Sequence, residues 1–181
     1  MILIKHLGFL LIVIVCFNSN ANGQNGNKKF EFDDFFKNYT FYSPGVRTFR
    51  SMKNGEHYIA IESKGTKLVV HSYETGETVN TLLDLSTIPT DLVKSFSDFS
   101  LSNDESKVLL VTDIEPIYRR SFTAKYFVFD IANSTIRQIS TNGKEQLATF
   151  SPDGSKVAYV RSNNLYYTDL TTGEEIQVTS D

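Results

Sequence analysis

The chain has 181 residues, and 18 Lys and Arg against 21 Asp and Glu leave a formal net charge of −3. The basic residues are scattered, so the clustered basic face that marks a nucleic-acid-binding protein is missing. Aromatic residues make up 13%, all Phe and Tyr, and with the many Val, Ile and Thr they favour strands over helices. The single cysteine, Cys16, excludes an intrachain disulfide and leaves the compartment to be read from targeting.

Residues 1–24 read as a secretory signal peptide. Lys5 and His6 give a positive start, residues 7–17 are apolar apart from Gly8, and Ser19-Asn20-Ala21 supplies small residues for cleavage. The apolar run is too short for a membrane-spanning helix, which needs about 20 residues. The expected location is therefore periplasmic or extracellular; an uncleaved N-terminal anchor is the alternative. Cys16 follows the bulky Val15, where lipoprotein processing wants a small residue. Residues 25–39 read as a linker and N-terminal arm. In it Phe30, Phe32, Phe35 and Phe36 surround three acids, as a short helix or a packed arm. Asp33 and Asp34 are the kind of paired acids that cap or solvate a helix start.

Residues 40–181 carry an internal repeat. Met52-Lys-Asn-Gly-Glu-His-Tyr-Ile-Ala-Ile aligns with Ser102-Asn-Asp-Glu-Ser-Lys-Val-Leu-Leu-Val and with Ser151-Pro-Asp-Gly-Ser-Lys-Val-Ala-Tyr-Val; starts at 52, 102 and 151 give spacings of 50 and 49. In the last copy Ser151-Pro152-Asp153-Gly154 is turn chemistry: Pro fixes φ, Asp bonds its own backbone, and Gly accepts positive φ. Strands are predicted at 146–150, 156–160, 165–169 and 175–179. Four short antiparallel strands per fifty residues is the content of one propeller blade. The fold class is thus all-β, a partial β-propeller of about three blades. Each unit buries its faces only against neighbours, so the repeat implies a stacked core. Propellers close with four to eight blades, so the chain is expected to be the N-terminal piece of a longer protein.

The middle copy is lengthened. Lys107 to Asp130 spans 23 positions where Lys156 to Asp169 spans 13. The extra residues fall at about 113–124, between the second and third strands. They are predicted to form a long loop on the face where links between blades run. Long loops on rigid scaffolds concentrate binding residues. Arg119 and Arg120 sit in it beside Tyr118 and Phe122. Two readings stand on spacing alone. Either an arginine offers its fixed fork to a carbonyl or carboxylate, or both merely cover aromatic surface or pair with Asp113 and Glu115.

Glu115-Pro-Ile-Tyr-Arg-Arg-Ser-Phe-Thr-Ala-Lys-Tyr-Phe-Val-Phe-Asp130, followed by Ala148-Thr-Phe-Ser-Pro-Asp-Gly-Ser-Lys-Val-Ala-Tyr-Val and Asn164-Leu-Tyr, resembles the propeller of the dipeptidyl peptidase IV family, the prolyl oligopeptidase-type serine peptidases. The resemblance runs from about residue 40 onward. It implies an exported serine exopeptidase with an eight-bladed propeller and a C-terminal α/β-hydrolase domain. Such an enzyme releases N-terminal dipeptides with Pro or Ala second. Arg119 matches the family arginine that binds the carbonyl of the N-terminal substrate residue; Arg120 matches no family role. The implied partner is a peptide substrate, and a homodimer of the complete enzyme is compatible with the family.

No residue of the chain is predicted to be catalytic. No Gly-x-Ser-x-Gly elbow occurs, His57 and His71 sit at strand positions, and no His, Cys or acid cluster has metal-ligand spacing. No cofactor or metal is expected, and the chain alone should not hydrolyse peptides. Glu174-Glu175 reads as a solvated hairpin rather than the family's glutamate pair. The competing function is a non-enzymatic periplasmic propeller of TolB-like type, a scaffold or binding module. The arginine-bearing insertion discriminates, since a scaffold has no reason to keep it.

Overall fold

The computed structural model describes residues 31–41 and 48–180. The expected signal peptide and part of the linker lie outside the described residues. Two compact units are separated near residue 45. In the first, a five-residue helix α1 (Phe32–Phe36) follows Glu31. Asp34 accepts from the Glu31 amide at 3.2 Å and from Thr40 Oγ1 at 3.3 Å, so one of the two acids does cap the helix start. Phe32 and Phe36 stack on each other at 4.4 Å between centroids.

The second unit is three four-stranded antiparallel sheets in sequential order. Blade one contains β1 (Phe49–Ser51), β2 (His57–Glu62), β3 (Lys67–Ser72) and β4 (Thr78–Asp84). Blade two contains β5 (Asp98–Leu101), β6 (Lys107–Tyr118), β7 (Ser121–Asp130) and β8 (Thr135–Gln138). Blade three contains β9 (Gln146–Phe150), β10 (Lys156–Arg161), β11 (Asn164–Asp169) and β12 (Glu175–Gln177). The three blades expected from the repeat are present.

The repeated turn has a common wiring. Asp104 accepts from Ser102 Oγ at 2.6 Å and from the Ser106 amide at 3.1 Å. Asp153 accepts from Ser151 Oγ at 2.6 Å and from the Ser155 amide at 3.0 Å. Ser102 and Ser151 in turn accept from the amides of Lys107 and Lys156, each at 2.9 Å. The serine and aspartate therefore satisfy the first amides of the next strand. These bonds hold the Asp153 carboxyl down at about 2.

The core is a pair of seams between blades. Val108 and Leu110 of β6, with Phe127 and Phe129 of β7, face blade one, where Ile59, Leu68, Val70 and Leu83 meet them. Their neighbours Leu109 and Val111, with Tyr126 and Val128, face Val157 and Tyr159 of blade three. Alternate side chains of a strand point to opposite faces. A strand buried on both faces is therefore apolar at every position. Blade two is packed this way, and burying each such side chain stabilises by about 1.5–3 kcal/mol.

Candidate functional site: an arginine-tipped hairpin over an interblade cleft

The extra residues of blade two do not form the expected loop. They continue β6 and β7 outward as a two-stranded ribbon, with Glu115 opposite Thr123, Pro116 opposite Phe122 and Tyr118 opposite Ser121. Arg119 and Arg120 are the two residues of its turn. The neighbouring strands stop earlier: Asp98 of β5 pairs with Val111, and Gln138 of β8 pairs with Phe127. Register shifts between Thr112 and Glu115 and between Pro116 and Tyr118 accommodate Asp113, at φ +50°, and the proline. Bulges of this kind bend a ribbon and re-aim its side chains.

Both arginines are exposed, and Tyr118 beside them is 80% exposed. The acids that could have neutralised them are taken. Lys144 Nζ lies 3.0 Å from Asp113 and 2.8 Å from Glu115, and Lys125 Nζ lies 3.2 Å from Asp113. Lys144 and then Lys125 hold the Asp113 carboxyl below its ordinary range. Among the described residues, neither arginine makes an ion pair or hydrogen bond. The reading that Asp113 and Glu115 neutralise them is thereby removed.

At the base of the ribbon lies a cleft of about 290 Å³, lined by Arg50, Asp98, Val111, Arg120, Tyr126 and Leu147 among others. Residues of β1, β5 and β9, the first strands of the three blades, thus converge there. Arg50 and Asp98 pair across it at 2.9 Å. Arg120, to which sequence reasoning gave no role, lines the cleft; Arg119 is its neighbour in the turn.

Two carboxylates escaped sequence reasoning. Glu145 is 0% exposed and neither of its oxygens makes a hydrogen bond. Burial pushes its carboxyl up to about 7, against the opposing charge of Arg161. Glu175 is not part of a solvated hairpin, although Glu174 is exposed. Arg161 donates to both its oxygens, at 2.8 and 2.5 Å, and Ser140, Tyr159 and Asn142 donate as well. The Arg161 guanidinium also lies 4.2 Å from the Tyr166 ring centroid. Arg161 above all holds the Glu175 carboxyl well below the usual range, and burial with Glu175 pushes the Tyr159 phenol up to about 12. Partners 14 to 35 residues away in sequence distinguish Glu175 from a surface glutamate.

His57 and His71 sit away from the hairpin, in β2 and β3. His57 bonds Asn54 at 2.7 Å, and His71 lies 3.1 Å from Glu62 and stacks on Tyr58. Among the described residues, no three His, Cys, Asp or Glu side chains gather as a metal site.

The family model for the dipeptidyl peptidase IV N-terminal region matches residues 102–181, which include the hairpin and all of blade three. Residues 102–181 are thus part of the N-terminal region of the dipeptidyl peptidase IV family. The Sclerotinia sclerotiorum protein named Probable dipeptidyl-aminopeptidase B is 33% identical over 137 residues, 70% of this chain and 14% of that protein. The Aspergillus niger Dipeptidyl-aminopeptidase B is 42% identical over 79 residues, 42% of this chain and 9% of that one. The crystal structure of Porphyromonas gingivalis dipeptidyl peptidase 4 superposes with a TM-score of 0.79 at 33% identity, covering 86% of this chain and 22% of that chain. The chain therefore spans a small part of the length of the relatives it matches.

Proposed function

We propose that the chain is the substrate-gating propeller portion of an exported serine-type dipeptidyl peptidase that removes N-terminal dipeptides with Pro or Ala second. In this reading it binds and admits peptide but is not itself catalytic. The nucleophile, base and hydrolase domain belong to other parts of the complete enzyme, since the chain has no Gly-x-Ser-x-Gly elbow. Export rests on residues 1–24, and a peptide is the partner.

One observation carries the reading. Arg119 stands at the tip of a hairpin that overshoots its blade, with its charge unspent because lysines occupy the hairpin's acids. An exposed, unpaired guanidinium at the tip of a ribbon is suited to a peptide carbonyl, which it binds through a charge-assisted hydrogen bond. Such a bond contributes roughly 1.5–3 kcal/mol. Arg119→Ala in the complete enzyme is expected to lower kcat/KM about 10- to 100-fold with the thermal transition unchanged. Unaltered kinetics would reject the role.

A further inference from the structure

The outer part of the hairpin is a two-stranded ribbon, and such a ribbon is at best marginally stable in water. Something must fix the direction in which its tip points. The link from blade two to blade three passes its root, and residues 144 and 145 of that link touch both of its strands. On the β6 side, Lys144 Nζ spans Asp113 and Glu115 at 3.0 and 2.8 Å, with its side chain only 17% exposed. On the β7 side, the main chain of Glu145 pairs with Ala124 in both directions, each bond 2.9 Å. Ala124 is fully buried, so this end of the grip is anchored in the core.

We propose that Lys144 is a positioning residue: together with the main chain of Glu145 it clasps the root of the hairpin and sets where Arg119 and Arg120 stand. The inference rests on the functional reading above only for its consequence in substrate binding; the clasp itself is independent of it. Lys144 bridges the two sides of the bulge at Asp113. Without it the two acids face each other with Lys125 alone, and Lys125 reaches only Asp113. The bulge then loses the cation that ties Glu115 down, and the ribbon swings about its root. Glu115 and Asp113 keep Lys144 charged, Glu115 first, which holds its ammonium above the ordinary range.

The test is hydrogen exchange on this chain. Lys144→Met keeps the stem and removes the charge. Amides of residues 114, 115 and 117–123 are expected to exchange at least about tenfold faster, while those of β10 and β11 keep their protection. Lys144→Arg, whose fork can still reach both acids, is expected to restore most of the protection. Unchanged exchange in Lys144→Met, or loss of protection throughout blade three, overturns the clasp. In the complete enzyme, Lys144→Met is expected to raise KM about tenfold in the wild-type background and to add nothing in Arg119→Ala. A full extra loss in Arg119→Ala would overturn the link between clasp and arginine. Faster exchange combined with an inert Arg119→Ala would support the clasp and reject the reading of the arginine.

Discussion

Replacing Glu145 by Gln should abolish a loss of stability that the protein suffers as pH rises to neutrality, and the structure gives the size of that loss. The carboxyl has no exposed surface and neither oxygen makes a hydrogen bond. The charged groups acting on it are Arg161 and Lys125, which favour its ionised form, and Glu175, which opposes it; burial outweighs them and lifts its pKa from 4.5 to about 7. A raised carboxyl pKa means that folding is favoured while both states are protonated, below about 4.5. The advantage is lost as pH rises and the unfolded chain ionises while the native carboxyl stays neutral. At 1.36 kcal/mol per pK unit the loss amounts to about 3 kcal/mol by pH 8. Urea unfolding of wild type and Glu145→Gln at pH 4 and pH 8 measures it. The amide's own buried polar atoms cost the same at both pH values, so the comparison cancels them. The variant should gain about 3 kcal/mol on wild type between pH 4 and pH 8. A stability difference that does not change with pH would show that Glu145 is solvated or paired, and would refute the reasoning.

Two further predictions concern the fold. Gly65 has φ +85°, and a Cβ there would stand 2.3 Å from the carbonyl oxygen of Phe96. Left-handed strain and overpacking together should make Gly65→Ala cost about 2–4 kcal/mol in urea unfolding; a cost below 1 kcal/mol would mean that the Phe96 backbone moves aside. Arg161→Met strands Glu175 among neutral donors and should cost about 2–3 kcal/mol at pH 7. Because the native Glu175 pKa is depressed below 4.5, the stability it contributes is present above that pH and is lost as pH falls. The deficit of Arg161→Met should therefore shrink in acid, opposite in sign to the Glu145 effect.

The blades were legible because their information is local. Ser102-Asn-Asp-Glu-Ser and Ser151-Pro-Asp-Gly-Ser each wire one turn to the strand that follows, within six residues. The hairpin was legible as an insertion but not as a ribbon. Pro116 removes a ladder donor and Asp113 needs positive φ, so the stretch reads as loop. It becomes strand because Val111 opposite Tyr126 and Thr112 opposite Lys125 already hold the two chains in register where the ribbon leaves the packed blade. Lys144, Glu145, Arg161 and Glu175 were illegible for the opposite reason. Their meaning depends on partners across strands and between blades, and no spacing rule encodes those.

Blade two is also where the physics favours placing a reaching element. Its central strands are buried on both faces, Val108 and Leu110 against blade one and Leu109 and Val111 against blade three. Sliding β6 by one residue against β7 would turn Leu109 and Val111 toward blade one and Val108 and Leu110 toward blade three, exchanging the two sets that now fill the seams. The register at the ribbon's root is thus fixed from two sides before the ribbon leaves the sheet. What remains free is the angle at the bulge, and that is the one degree of freedom the Lys144 ammonium and the Glu145 main chain restrain.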